Sequence, residues 1–256
     1  MDLEKAQNRI IDFIRDKAGK AGVSGVVVGI SGGIDSALSA TLAVKALGKD
    51  RVLGIHMPES GLTPAVDSED AKTLADWLGI EYRIIDISGI ISAFMAAVPE
   101  SGSSDRLTRG NLKARTRMSI LYFHANQLNR MVIGTGNRTE ILLGYYTKYG
   151  DGGVDIEPVG GLYKTEVWEL SRRLGIPEPL ITKKPSAGLW AGQTDEADLG
   201  ISYVKVDEVL RMLEDGAEPE KILNKTGVSA EQLNSVTRRI ERNEHKRKAP
   251  PVPEMY

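Results

Sequence analysis

Ser31-Gly32-Gly33-Ile34-Asp35-Ser36 gathers two hydroxyls, two glycines and a carboxylate where a short apolar run, Gly25–Ile30, gives way to a helical pattern over Ala37–Leu47. These residue types suit an oxyanion. A helix N-terminus offers unpaired N–H groups and partial positive charge, glycine lets an anion approach the backbone, and the serines can donate as well. The lysine of a Walker A loop is missing here, and neither Gly19-Lys20 nor Gly48-Lys49 is followed by Ser or Thr. An aspartate beside a phosphate repels it unless a divalent cation bridges the two, so Asp35 points to magnesium. The bland alternative is a tight turn with a capping aspartate.

Further along, Asn111-Leu112-Lys113-Ala114-Arg115-Thr116-Arg117-Met118 sets three cations on a helix, with Lys113 and Arg117 four apart and Arg115 pointing elsewhere. Alone, this reads as a solvated face. Gly134-Thr135-Gly136-Asn137-Arg138-Thr139-Glu140 repeats a strand-to-glycine turn without the third glycine of a dinucleotide fingerprint. Thr147-Lys148-Tyr149-Gly150-Asp151-Gly152-Gly153, with Asp155 close behind, crowds a cation and two carboxylates into glycine-rich loop, where binding groups collect. Leu162-Tyr163-Lys164, Pro185–Trp190, Gln193–Glu196 and His245-Lys246-Arg247 complete the set, each more structural than functional when taken singly. His56 and His124 read as packing or surface residues, and no histidine pair has metal-ligand spacing.

These residues must be positioned by a regular scaffold. An amphipathic helix opens the chain and ends near Gly19; Gly25–Ile30, Val52–His56, Tyr82–Ile87 and Met131–Gly134 read as buried strands. Helical patterns fall between and after them, over about Ala37–Leu47, Ser68–Leu78 with Asp67 as cap, Leu107–Leu128, Thr165–Leu174, Val204–Leu213 and Ala230–Glu244. This alternation predicts an α/β fold, a doubly wound parallel sheet with helices on both faces and ligands at the C-terminal strand ends. Gly144–Gly161 and Lys183–Gly200 read as irregular, functional loop.

The composition narrows the function. A formal net charge of −2 argues against a nucleic-acid or membrane-surface binder. The absence of cysteine excludes disulfides, zinc–thiolate sites, iron–sulfur clusters and a thiol nucleophile in these residues. The longest apolar runs fall far short of the roughly 18 residues of a membrane span, and the charged N-terminus does not read as a signal peptide, so a cytoplasmic protein is expected.

The Ser-Gly-Gly-x-Asp-Ser loop resembles the pyrophosphate loop of the ATP pyrophosphatases that release AMP and pyrophosphate, a group with an adenine-nucleotide α-hydrolase-like, Rossmann-like fold. In order, the segments from about Gly25 to Arg247 are similar to those of NAD synthetases. The resemblance implies adenylation of the nicotinate carboxylate of deamido-NAD by ATP, then displacement of AMP by ammonia. It implies that Gly29, Ile30, Ser31, Gly32, Gly33, Ile34, Asp35 and Ser36 hold ATP phosphates, that Thr135, Lys164 and Ser186 also contact ATP, and that Asp35 and Glu140 are magnesium ligands. Arg115, Lys148, Asp155, His245 and Lys246 would contact deamido-NAD. Asp151 is the candidate for positioning ammonium and taking its proton, because only neutral ammonia is nucleophilic.

Residues 1–256 are expected to form a single domain without a glutaminase domain, using free ammonia or ammonia delivered by another protein, and to work as a homodimer with deamido-NAD near the interface. Met57–Val66 and Lys183–Gly200 are expected to order over bound nucleotide. The rival readings are another ligase on the same loop, such as one resembling GMP synthetase, and a non-catalytic adenine-nucleotide sensor.

Overall fold

A computed structural model describes residues 1–190 and 192–255. Four strands, β1 (Gly25–Gly29), β2 (Val52–His56), β3 (Glu81–Ile84) and β4 (Arg130–Ile133), form one parallel sheet in the order β3-β2-β1-β4. Val26 aligns with Val52 of β2 on one side and with Met131 of β4 on the other. The chain winds outward from β1 in one direction through β2 and β3, then returns to add β4 on the opposite flank. A crevice therefore opens beyond the C-terminal ends of β1 and β4, where the winding reverses.

The strand residues explain the layering. β1 and β2 are Val/Ile/Leu runs buried on both faces, which suits central strands of a parallel sheet. On one face Val26, Val28, Ile30 and Ile133 pack with α1 (Leu3–Ala21), α2 (Ile34–Leu47), α3 (Ala65–Leu78), α7 (Lys164–Arg173) and α8 (Glu178–Thr182). On the other, Val27, Leu53, Ile55 and Val132 pack with α4 (Ser88–Ala97) and α5 (Arg106–Gln127). A further apolar cluster, centred on Tyr203, Val206, Leu210 and Ile222, joins α6 (Arg138–Leu143), α10 (Tyr203–Glu214), α11 (Pro219–Thr226) and α12 (Ala230–Arg242). α9 (Asp195–Leu199) adds Leu199 to that cluster, and the half-buried Trp168 of α7 packs on both it and the sheet core.

Several expectations need correction. The third strand covers Glu81–Ile84 rather than Tyr82–Ile87, and it is an edge strand with Ile84 62% exposed rather than a buried one. α3 starts at Ala65 after Pro64, so Asp67 lies inside its first turn and does not cap it. α4, α6, α8 and α11 were not anticipated, and α9 interrupts the stretch expected to be irregular. Among the described residues no helix is long and apolar enough to cross a membrane.

Candidate active site

The turn after β1 builds the first wall. Ser36 Oγ accepts from Ser31 N at 3.2 Å and donates to Gly33 O at 2.9 Å, and Gly33 N donates to Ser31 Oγ at 3.2 Å, so the hydroxyls shape the loop that opens α2. Gly32 is needed twice over. Its φ is +83°, and a Cβ there would lie 2.3 Å from Asp67 O on α3.

The turn after β4 builds the second wall and fixes the acidic centre. Asn137, fully buried, caps α6 by accepting from Glu140 N at 3.0 Å, while Asn137 N donates to Glu140 Oε2 at 3.2 Å. The Asn137 amide also donates to Asp35 Oδ1 at 2.9 Å. One residue thus orients both carboxylates proposed as metal ligands. Lys164, the first residue of α7 and 1% exposed, ion-pairs with the other oxygen of Asp35 and stands 5.1 Å from the centre of the Tyr203 ring. Tyr203 in turn donates to Asp195 Oδ2 at 2.9 Å, and Tyr145 donates to Asp195 and Asp198.

The electrostatics of this cluster are one-sided. Burial, followed by the charge of Asp35, drives Glu140 well above the usual carboxylate range despite the opposing charge of Lys164. Burial likewise raises Asp195. For Lys164, burial opposes the charge, but Asp35, Glu140 and Asp195 outweigh it and its pKa rises. Three acids share one buried cation, which leaves room for more positive charge. Two carboxylates also match the donor set of a magnesium ion that takes its other oxygens from phosphates and water.

A cavity of about 1490 Å³ connects these parts. Gly29–Ser36, Thr135, Glu140, Asp151, Lys164, Ser186, His245 and Lys246 all border it. Asp151 is open to this cavity, while the protein around its carboxyl raises its pKa through burial; Oδ1 accepts from Thr147 N at 2.9 Å. Lys246 Nζ donates to Gly144 O and Tyr146 O, both at 2.6 Å. Arg115, Lys148 and Asp155 do not border the cavity. The first two form an outer chain to it: Arg115 donates to Lys148 O at 3.3 Å and Lys148 Nζ to His245 O at 2.7 Å. Asp155 instead accepts from Tyr122 OH at 3.0 Å and Val132 N at 2.7 Å.

The sequence reading missed Asn137, Asp195 and Glu157 as members of this neighbourhood. The Asn137-x-x-Glu140 spacing is a capping-box pattern and could have flagged the first; Asp195 comes from far along the chain and carried no such signal. Glu157 accepts from Gly136 N at 3.0 Å, and a Cβ on Gly134 would lie 2.2 Å from its Oε2. The glycines of the second turn therefore make room for a carboxylate of the protein itself. Burial, then the nearby Asp151, pushes Glu157 up to about 8. Lys113 is buried and Arg117 half-buried, with Arg117 Nε donating to Met57 O at 3.0 Å, so that cationic helix is not simply a solvated face.

A doubly wound parallel sheet with a serine–glycine loop, facing acids and a buried lysine on one cavity belongs to the class of α/β proteins whose ligands sit beyond the C-terminal strand ends. The NAD synthase family model matches residues 6–250, and the chain belongs to that family. An NH(3)-dependent NAD(+) synthetase of Methanosarcina mazei is 89% identical over the full length of both chains. Among solved structures, an NMN synthetase from Francisella tularensis is 36% identical at a TM-score of 0.87, covering all of both chains. An NH3-dependent NAD synthetase from Campylobacter jejuni is also 36% identical, with a TM-score of 0.83 over 99% of this chain and all of that one. The match spans nearly every segment rather than the first loop alone, and it favours neither the GMP-synthetase-like reading nor the sensor.

Proposed function

We infer that the chain amidates deamido-NAD with ammonia at the expense of ATP, giving NAD, AMP and pyrophosphate through an adenylated carboxylate. The observation that carries this reading is the meeting of the Ser31–Ser36 loop with Asp35, Glu140 and Lys164 on one cavity, in a chain 89% identical to an NH(3)-dependent NAD(+) synthetase. The 36% identity to an NMN synthetase is a far weaker guide to the substrate than that.

A carboxylate is a poor electrophile with a poor leaving group, and adenylation supplies both the activation and the departure. The nicotinate oxygen attacks the α-phosphorus of ATP and pyrophosphate leaves; ammonia then adds to the acyl carbon and AMP departs with the bonding electrons. In this reading the backbone of Gly29–Ser36 binds the β- and γ-phosphates, whose negative charge grows as pyrophosphate separates. Lys164 balances charge beside the α-phosphate, and Thr135 and Ser186 hold the nucleotide from either side. Asp35 and Glu140 would hold magnesium, which supplies Lewis-acid stabilisation of the phosphoryl oxygens when bound. His245 and Lys246 hold deamido-NAD at the cavity rim, with Lys148 and Arg115 continuing the cationic path outward and Asp155 bracing β4 beneath it.

Asp151 takes the proton of ammonium; burial raises its pKa above the usual carboxylate range, which makes it a stronger base than a free carboxylate. The reading includes a homodimer with deamido-NAD near the interface, as the family resemblance implies. A single domain, a cytoplasmic setting and ammonia taken free or from a separate protein complete the reading.

Purified protein is incubated with ATP, magnesium and deamido-NAD, with ammonium or glutamine in parallel, and products are read by mass spectrometry. NAD and AMP are expected with ammonium alone. NAD formed from glutamine, or none formed from ammonium, overturns the reading. Asp35→Ala and Glu140→Ala should each abolish turnover with the fold intact; retained turnover refutes their assignment as metal ligands.

A further inference from the structure

Two segments border the nucleotide cavity, residues 57–66 after β2 and residues 183–190 after α8. They are distant in sequence, yet both reach the same side chain. Lys113 of α5 pairs with Glu59 Oε2 at 2.7 Å, and its Nζ donates to Leu189 O at 3.2 Å. The side chains of Lys113 and Glu59 are only 11% and 17% exposed, and Glu59 Oε2 has no other polar partner among the described residues.

One turn earlier on α5, Gly110 faces Leu189: a Cβ at Gly110 would stand 3.0 Å from Leu189 Cδ1. Glycine inside a 22-residue helix costs about 1 kcal/mol relative to alanine, and seating Leu189 is the reason this helix has one there. The turn after Lys113 adds Arg117, which holds Met57 O. α5 thus grips one segment through Glu59 and Met57 and the other through Leu189, with Lys113 common to both.

We propose that Lys113 is a positioning residue that couples the two cavity-bordering segments into one unit, so that ordering either on the substrates orders the other. A buried ion pair adds little net stability but fixes one geometry over others, which is what such a coupler requires. Only the kinetic consequence rests on the functional reading above; the coupling itself is a property of the free protein.

Hydrogen exchange followed by mass spectrometry on the full chain tests this with Glu59→Gln, Gly110→Ala, Lys113→Met and Lys113→Arg. Glu59→Gln touches only the first segment and Gly110→Ala only the second, so the decisive readout is the cross effect. Glu59→Gln should raise exchange about tenfold in residues 183–190, and Gly110→Ala should do the same in residues 57–66. Lys113→Met should loosen both segments, and Lys113→Arg should restore part of the protection. In the ammonium assay these variants should raise KM for ATP more than they lower kcat. Loosening confined to the mutated segment in both single-segment variants overturns the coupling, even in a protein that makes NAD normally. Coupled exchange in a protein that makes no NAD would instead uphold the coupling and fail the functional reading. If Lys113→Met does not fold, Glu59→Gln and Gly110→Ala still decide.

Discussion

Lys164 is the residue on which the acidic centre depends, because it is the buried cation paired to Asp35 while Glu140 and Asp195 raise its pKa from close by. Replacing it with methionine leaves Asp35 and Glu140 side by side with no compensating charge. Loss of one partner of a buried pair costs roughly 3–5 kcal/mol. Lys164→Met should therefore lower the urea-unfolding free energy by about that much and abolish turnover, and Asp35→Asn in the same chain should recover much of the stability but none of the activity. Additive losses in the double variant would show that the pair carries no coupling. At this scale the sequence was informative where a residue sits in a local pattern. Asp35 stands in a serine–glycine turn, and Glu140 and Lys164 follow recognisable segments. It was silent where the third dimension makes the contact: Asp195 joins the cluster through Tyr203 and Tyr145, and Glu157 folds back under Gly134 and Gly136. Gln193–Glu196 stands out as a segment, but nothing in it assigns Asp195 to this cluster, and nothing around Glu157 signals its contact.

The elements deliver these side chains through two turns, and Gly32 is the point where an element boundary is least tolerant. Alanine there must adopt φ near +83° and place its Cβ against Asp67 O, so it costs roughly 1–2 kcal/mol in backbone strain and pushes α3 off the Ser31–Ser36 loop. Gly32→Ala should keep its far-UV circular dichroism and lose at least about tenfold in ATP affinity by titration calorimetry. Unchanged affinity would mean that the loop does not hold the phosphates. β1, β2 and β4, α2, α5, α7, α10 and α12 were legible because each couples a clear apolar period to a turn signal. α4 was not, since its nearly all-apolar sequence leaves Ile90 and Phe94 exposed and shows no polar face. α6, α8 and α9 are too short to display a period. β3 slipped to Glu81–Ile84 because an edge strand needs less apolar sequence than a central one, and Asp86 is engaged in a turn with Ser60 and Ser88.

Across the whole molecule, a net charge of −2 conceals where the acids lie, and the site makes the protein's stability depend on pH. Burial raises Glu140, Asp151, Glu157, Asp195 and Asp207 above the usual carboxylate range. A carboxyl whose folded pKa exceeds its unfolded one holds a proton that the unfolded chain has already released. Its contribution falls as pH rises through the window between the two values. For Glu157 that window runs from 4.5 to about 8, a penalty of at most about 5 kcal/mol above it. Carboxylates held low, such as Asp86 beside Ser60 and Ser88, act in the opposite sense but only below about pH 4, outside this range. Lys164, raised above its ordinary value, loses its contribution only at still higher pH. His56, whose pKa burial lowers from its ordinary value, gains in the opposite sense over the lower part of this range. The five raised carboxyls outnumber it, so the unfolding free energy of the free protein should decline from pH 5 to pH 8. Glu157→Gln, which carries no ionisable proton, should match the wild type near pH 5 and exceed it at pH 8. Magnesium with ATP should stabilise more at pH 8 than at pH 5, since the cation favours the ionised form of Glu140 that burial otherwise disfavours. Denaturant titrations at the two pH values, with and without magnesium and ATP, measure all three differences. A Glu157→Gln curve parallel to the wild type across the range would mean that the proton is not held at Glu157, and a magnesium effect independent of pH would detach the metal from the buried acids.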